Sequence, residues 1–237
     1  YFHNDPLSMN GSKNEDERIK LLELCSKIVF NSQWSKDRFL SGIDEIYVKS
    51  TKLIVIRQST EPQKVNINDK EKIITFVGKL NKAKGYDVFG SAIIEILNKF
   101  KDWKAIVIGD EEREKITFNH ERLEIKGFKK HKDVINILKK TSIAVVCSRW
   151  QEPFGRTSLE ASSCGCAVII TKRGGLPETI TNGIILENLS KEDIKAFDKL
   201  ITARTISGDE EKQDEEGNTF GNWDNLASDK NNPSLSY

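Results

Sequence analysis

Short apolar runs recur along the chain, and segments whose apolar residues have helical spacing lie between them. The clearest example is a pair of apolar runs, residues 143–147 and 167–170, which flank residues 157–163, where the spacing predicts a helix ending at Gly165. A strand, a loop, a helix and a second strand in this order predict one βαβ unit of a parallel sheet.

The same alternation extends to both sides of this unit. Residues 1–3 have the character of the end of a strand, and we predict further strands at residues 27–30, 52–56, 73–77, 104–108, 123–125 and 183–186. Helices are predicted at residues 15–26, 32–42, 86–100, 133–140 and 191–203. Alternating strands and helices are typical of α/β proteins, so α/β is the predicted fold class.

Composition and pattern divide the chain into four parts. Residues 1–58 contain only three predicted strands, which make an incomplete domain. Residues 59–72 are polar and are predicted to be an interdomain linker, whereas residues 73–205 form a regular second domain. Residues 206–237 are acidic or polar and are predicted to be a partly disordered tail.

The start of the sequence and its composition narrow the functional classes. The chain begins at Tyr1, inside a predicted element, and its only methionine is Met9, so we expect it to lack most of its first domain. The formal net charge of +1 gives no support to nucleic-acid binding. No apolar run approaches the roughly 20 residues that span a bilayer, and no signal peptide is visible, so a cytoplasmic location is expected.

Lysines are concentrated at residues 126–132 and at residues 139–140. The simplest interpretation is a solvated face. The alternative is attraction to anionic lipid headgroups, which predicts peripheral contact with the inner face of a membrane.

Candidate chemistry lies in the loop and helix of the central βαβ unit. Glu152 precedes the predicted helix and Glu160 lies about one turn inside it, so two carboxylates flank one ligand position. The N–H groups at a helix start carry partial positive charge and suit a phosphate, and Gly155 lets a phosphate approach the backbone closely.

These residues carry a resemblance to a known family. Glu152 is followed by Pro-Phe-Gly and Glu160 by Ala-Ser-Ser-Cys-Gly, which resembles the Glu-x7-Glu signature of retaining glycosyltransferases of family four, the group 1 glycosyl transferases with the GT-B fold. Gly174-Gly-Leu-Pro-Glu178 and Gly78-Lys-Leu…Lys84-Gly85 agree in distance and order. The resemblance implies transfer of a sugar from a nucleotide-diphosphate donor to a glycan or lipid-linked acceptor, as in lipopolysaccharide or exopolysaccharide biosynthesis.

The resemblance also implies roles for individual residues. Glu160 would accept from the ribose hydroxyls of the donor, Glu152 would hold the sugar near its reacting carbon, and His3 would face that sugar from the first domain. Lys79 and Lys84 would bind the diphosphate, although the family generally has arginine at the first position. Further donor contacts are implied for Gly78, Gly127, Phe128, Phe154, Gly155, Arg156 and Thr157.

Two of these assignments stay open at this point. Phe154 suits the core as well as the phosphate loop, and Phe128 suits packing as well as the edge that faces the base.

No metal or separate cofactor is expected. The sequence has no Asp-x-Asp, and its three histidines are widely spaced, so cations and a helix dipole must stabilise the leaving diphosphate. Cys164-Gly-Cys166 lacks the second pair of ligands that a metal site would need. The dinucleotide-binding motif Gly-x-Gly-x-x-Gly is absent, so the sequence gives no support to hydride transfer. The alternative functions are a fragment that binds a nucleotide sugar without catalysis, and a phosphorylase or epimerase with the same fold.

Overall fold

The first part of the chain forms a small α/β unit. The computed structural model of the protein describes residues 1–48 and 52–187. The first unit contains helices α1 (Glu15–Leu24), α2 (Gln33–Leu40) and α3 (Glu45–Val48) and strands β1 (Ile28–Phe30) and β2 (Leu53–Val55). β1 and β2 pair in parallel, and the predicted strand at residues 1–3 is reduced to a single parallel bridge between Phe2 and Phe30.

A six-stranded parallel sheet forms the second unit. Its strands are β3 (Glu71–Val77), β4 (Lys104–Ile108), β5 (Leu123–Ile125), β6 (Thr141–Val146), β7 (Ala167–Thr171) and β8 (Ile184–Leu186), and its helices are α4 (Tyr86–Lys99), α5 (His131–Lys140) and α6 (Arg156–Ser163). The strand order is β5-β4-β3-β6-β7-β8. The order reverses between β3 and β6, and open parallel sheets bind ligands at the carboxyl ends of the strands beside such a reversal.

Helices cover both faces of the central strands of this sheet. In β6, Ile143 and Val145 pack against α4, while Ala144 packs against α5 and α6 on the opposite face. A strand that is covered on both faces is apolar at most positions, which explains the continuous apolar runs at residues 143–146 of β6 and 167–170 of β7.

The linker is attached to the second unit before β3 begins. Lys70 Nζ donates to the carbonyl oxygens of Leu138 (3.0 Å) and Thr141 (2.8 Å), and to that of Cys164. These carbonyls lie at the carboxyl ends of α5 and α6, where a cation is favourable.

The predicted α/β class and the parallel sheet are confirmed, and several boundaries differ. β3 begins at Glu71, inside the predicted linker, because Glu71 pairs with Thr141 of β6 and its carbonyl also accepts from Ser142 Oγ. α5 begins at His131 rather than at residue 133, and no capping side chain marks this start in the sequence. The short helix α3 was not predicted. The predicted helix at 191–203 and the tail at 206–237 lie outside the described residues, and the four-part domain division stays a prediction.

No helix within residues 1–48 and 52–187 is both long and apolar enough to cross a membrane.

Candidate functional site

The loops that follow β3 and β6 are bonded to each other at the reversal point of the sheet. The backbone N–H groups of Arg149 and Trp150 both donate to the carbonyl of Ala83, at 2.9 and 3.0 Å. The Arg149 guanidinium forms two bonds to the Asp87 carboxylate (2.6 and 2.9 Å). Burial raises the pKa of Asp87, but the bonds and charge of Arg149, together with backbone hydrogen bonds, outweigh this effect and hold that pKa below its usual range. The two loops are therefore fixed relative to one another.

This junction brings Lys84 and Glu152 together. Lys84 Nζ forms an ion pair with Glu152 Oε1, and the hydroxyl of Ser148 donates to the same oxygen at 2.8 Å. The side chain of Glu152 is 13% exposed and that of Lys84 is 33% exposed. Ser148 was not predicted as a site residue, although its position directly after the predicted strand at 143–147 offered a signal.

Helix α6 begins beside this pair with no side-chain cap. Gly155 precedes it with φ of 100°, and a Cβ at Gly155 would lie 2.3 Å from Leu176 Cδ2, so the position requires glycine. The first-turn N–H groups have no capping side chain and can therefore bond to an anion. The Phe154 side chain is buried in the core, and Thr157 is half-buried at the start of the helix.

Glu160 lies on the same helix, and its carboxylate is buried. Its Oε1 contacts Arg156 Nη2 at 3.1 Å and His131 Nε2 at 3.2 Å. The helical i, i+4 spacing of Arg156 and Glu160 was visible in the sequence, but the contact with His131 was not, since it depends on how α5 packs against α6.

A cavity of about 530 Å³ lies between linker residues 59–63, α5 and the start of α6. Lys132, Lys139 and Arg156 line it, together with His131. Its volume is within the roughly 300–1,000 Å³ of small-molecule sites. Of the predicted site residues, only Arg156 contributes to its lining, so it adjoins Glu160 but does not extend to Glu152.

The structure places the other predicted residues around this region without joining them to the two glutamates. Gly78 donates its N–H to Ile108 (3.0 Å), and Lys79 is exposed. Gly127 accepts from the N–H of Gly109 (3.0 Å), which ties the loop after β5 to the loop after β4. Phe128 is 74% exposed, so its side chain is not part of the core.

His3 belongs to the first unit and is exposed there. Its Nδ1 lies 3.0 Å from Gln58 Nε2, and its carbonyl accepts from Asn31 Nδ2 at 3.1 Å. Within the described residues no hydrogen bond joins the His3 side chain to Glu152 or Glu160.

Over residues 1–48 and 52–187, no group of three histidine, cysteine, aspartate or glutamate side chains is arranged to hold a metal ion. The thiols of Cys147, Cys164 and Cys166 are buried and Cys25 is half-buried, and no disulfide joins any two of these four residues. Burial raises the pKa of the Cys147 thiol to about 12.

Comparison with known proteins finds a matching family and several relatives. The profile of the family described as glycosyl transferases group 1 matches residues 57–216. The chain is 30% identical over 228 residues to the 42.6 kDa protein in the cps region of Klebsiella pneumoniae, covering 88% of this chain and 57% of that protein. It is 29% identical over 133 residues to spore coat protein SA of Bacillus subtilis, covering 48% of this chain and 33% of that protein.

Solved structures show the same fold. The Anabaena protein Alr3699/HepE, crystallised in complex with UDP-glucose, superimposes with a TM-score of 0.66 at 18% identity, over 87% of this chain and 62% of that one. The chain therefore spans less than two thirds of the length of each of these three proteins.

Proposed function

The chain belongs to the family of group 1 glycosyl transferases and has the GT-B fold, and on this premise we propose a specific reaction for it. It transfers a sugar from a nucleotide-diphosphate donor to a glycan or lipid-linked acceptor with retention of the anomeric configuration. The observation that carries the proposal is the arrangement of Glu152 and Glu160 on either side of the uncapped start of α6, each with a cationic partner.

The diphosphate of the donor is bound by cations and by the helix start. Lys84 lies beside Glu152, so its ammonium group is at the boundary between the positions proposed for the sugar and the phosphates. Lys79 and the N–H groups of Gly155, Arg156 and Thr157 add further donors. Fixed positive charge of this kind stabilises the leaving diphosphate as the sugar departs. We therefore expect donor binding to persist in the presence of a chelator.

Glu160 accepts hydrogen bonds from the ribose of the donor. Arg156 and His131 both contact Oε1, which orients the carboxylate from one side. A carboxylate held in this way can accept from two neighbouring hydroxyls, and each such charge-assisted bond contributes about 1.5–3 kcal/mol. Gly127 and the exposed Phe128 lie in the loop after β5 and are proposed to face the base.

Glu152 and His3 act on the sugar. Ser148 and Lys84 fix the Glu152 carboxylate, which holds sugar hydroxyls near the reacting carbon. His3 approaches from the first unit, where it can donate to a sugar hydroxyl or assist the acceptor. Gly78, at the end of β3, lets the donor lie close to the strand.

The activities and ligands of related proteins support the proposed substrate class. The Anabaena neighbour binds UDP-glucose, and a relative from Corynebacterium jeikeium, 27% identical over 161 residues, is a D-inositol 3-phosphate glycosyltransferase. The Klebsiella relative comes from a cps region, which supports a role in polysaccharide biosynthesis.

We further propose that the protein acts in the cytoplasm and contacts the inner face of a membrane through the start of α5. Lys129, Lys130 and Lys132 are exposed there, and none of them forms an ion pair within the part of the chain that the structure describes. Sedimentation should show binding to phosphatidylglycerol vesicles and none to phosphatidylcholine vesicles. Equal binding to both kinds of vesicle would contradict the electrostatic contact.

A second candidate function is donor binding without transfer. The first unit supports it, because its described sheet has two strands and one bridge, and the acceptor is expected on that side.

Proton NMR of the released sugar separates the two functions. The protein is incubated with UDP-glucose, UDP-N-acetylglucosamine, GDP-mannose or ADP-glucose, with water as the acceptor. Transfer with retention predicts that the α-anomer of the sugar appears first, together with the nucleoside diphosphate. Initial release of the β-anomer would contradict retention, and donor binding without any release would favour the second candidate.

A further inference from the structure

The two α/β units are joined through the carboxylate of Glu178, in the turn that follows β7. Glu178 Oε2 accepts from the backbone N–H of Gln33 at 2.8 Å, and Oε1 accepts from that of Trp34 at 2.9 Å. Arg57 Nε, just after β2, donates to Oε2 at 3.1 Å. The side chain of Glu178 is 17% exposed. One half-buried carboxylate thus receives three bonds from the other unit.

These bonds complete the cap of helix α2. The first N–H groups of a helix have no partner within the helix and carry partial positive charge. Ser32 satisfies one of them, since its hydroxyl accepts from Ser35 N at 2.9 Å. The N–H groups of Gln33 and Trp34 are satisfied by Glu178. α2 is therefore capped partly by its own serine and partly by the second unit.

A neighbouring contact fixes the same helix to the loop of Glu152. The Ser32 hydroxyl donates to the carbonyl of Pro153 at 2.6 Å. A Cβ at Gly175 would lie 2.5 Å from that carbonyl oxygen and 3.0 Å from Ser32 Cβ, so the two segments are in close contact. The N–H of Gly175 in turn donates to the carbonyl of Glu152 at 2.7 Å.

The bonds continue from α2 to His3. Ser35 Oγ donates to Asn31 Oδ1 at 2.9 Å, and Asn31 Nδ2 donates to the carbonyl of His3 at 3.1 Å. A shift of α2 would therefore move His3 relative to Glu152.

We propose that Glu178 is a positioning residue that sets the orientation of the first unit, and with it His3, relative to the Glu152 loop. This inference rests on the proposed transfer reaction, in which both residues act on the sugar. Small displacements of reacting groups slow catalysis strongly while leaving substrate binding nearly unchanged. Within the described residues Glu178 forms no hydrogen bond or ion pair with the side chains of Lys84, Glu152 or Glu160, so we expect its effect on the rate rather than on donor affinity.

The test compares Glu178→Ala and Glu178→Gln with Glu187→Gln as the matched control, since Glu187 is 59% exposed and pairs only with Lys172 among the described residues. Hydrogen exchange of the Gln33 and Trp34 amides measures the cap directly, with the Val145 amide in the core as the reference. Exchange of both amides should accelerate at least tenfold in Glu178→Ala and less in Glu178→Gln, which retains one acceptor oxygen. When the release of UDP from UDP-glucose is measured, Glu178→Ala should have a kcat at least tenfold lower than that of the wild type and a KM that differs by less than about twofold.

Unchanged exchange at Gln33 and Trp34 would overturn the inference, because the cap would not exist in solution. Faster exchange with normal kcat would also overturn it, since Glu178 would then only stabilise α2. If the wild-type chain binds UDP-glucose but releases no UDP, the proposed transfer fails. In that case the exchange rates alone decide whether Glu178 joins the two units.

Discussion

Replacing Glu160 tests the donor site most selectively, because the fold depends little on this side chain. Its partners Arg156 and His131 have side chains that are 61% and 62% exposed, so both side chains remain hydrated when the carboxylate is removed. The Glu160 carboxylate itself is buried, but its removal leaves no unpaired buried charge, so the loss of stability should resemble that of an exposed pair, about 0–1 kcal/mol. We expect Glu160→Ala to unfold within about 1 kcal/mol of the wild type in urea.

The effect on donor binding should be much larger. Two charge-assisted hydrogen bonds to the ribose, at about 1.5–3 kcal/mol each, amount to about 3–6 kcal/mol. At about 1.4 kcal/mol for each tenfold change, the loss of affinity is about 100-fold to 10,000-fold. Glu160→Gln keeps one acceptor oxygen without the charge, and we expect it to lose about half of that free energy.

Calorimetric titration with UDP-glucose measures both variants, and Glu187→Ala serves as the control because it removes an exposed carboxylate of the same type. The control should bind like the wild type. Unchanged affinity in a folded Glu160→Ala variant would refute the assignment of Glu160 to the ribose.

Three further changes have defined outcomes. Lys84→Ala should weaken UDP binding more than tenfold but leave uridine binding unchanged, with Lys82→Ala as the neighbouring control; equal losses for both ligands would mean that Lys84 acts indirectly. Tyr86→Phe should leave the free energy of unfolding in urea unchanged or raise it by up to about 1 kcal/mol, because the buried Tyr86 hydroxyl has no hydrogen-bond partner within the described residues. A decrease in that free energy of about 1 kcal/mol or more would show that the hydroxyl has a partner. Burial raises the pKa of Cys147 to about 12, so this thiol ionises more readily in the unfolded chain, and the free energy of unfolding should be unaffected below about pH 8.5 and fall by about 1.4 kcal/mol per pH unit above it. Cys147→Ala should show a shallower loss of stability at alkaline pH, and a loss identical to that of the wild type would contradict this expectation.

Local periodicity was sufficient to predict the central unit of the fold. β6 and β7 are covered on both faces, so their apolar runs are continuous, and Gly165 with φ of 69° ends the segment of α6 as expected. The pairing of Glu152 with Lys84 also agrees with the sequence prediction that both lie at one donor site, although the roles of these residues stay predictions.

Contacts between elements that are distant in sequence were not predictable in the same way. His131 reaches Glu160 only because α5 and α6 lie side by side on one face of the sheet, and this follows from a strand order that the sequence does not specify. Glu178 was part of a recognised motif, but its partners Gln33 and Trp34 lie far earlier, as the sequence separations of 145 and 144 show. The exposure of Phe128 likewise depends on the loop after β5 and not on a periodic pattern.

The most direct test of the account is a calorimetric titration of the wild-type chain with a panel of nucleotide-diphosphate sugars, with and without a chelator. The panel contains UDP-glucose, UDP-N-acetylglucosamine, GDP-mannose and ADP-glucose, and the corresponding free sugars are the controls. We expect at least one nucleotide sugar to bind at one site per chain, with the same affinity in the presence of the chelator, and no free sugar to bind. If the folded chain binds no member of the panel, or binds one only with a divalent ion present, the proposed donor site is wrong.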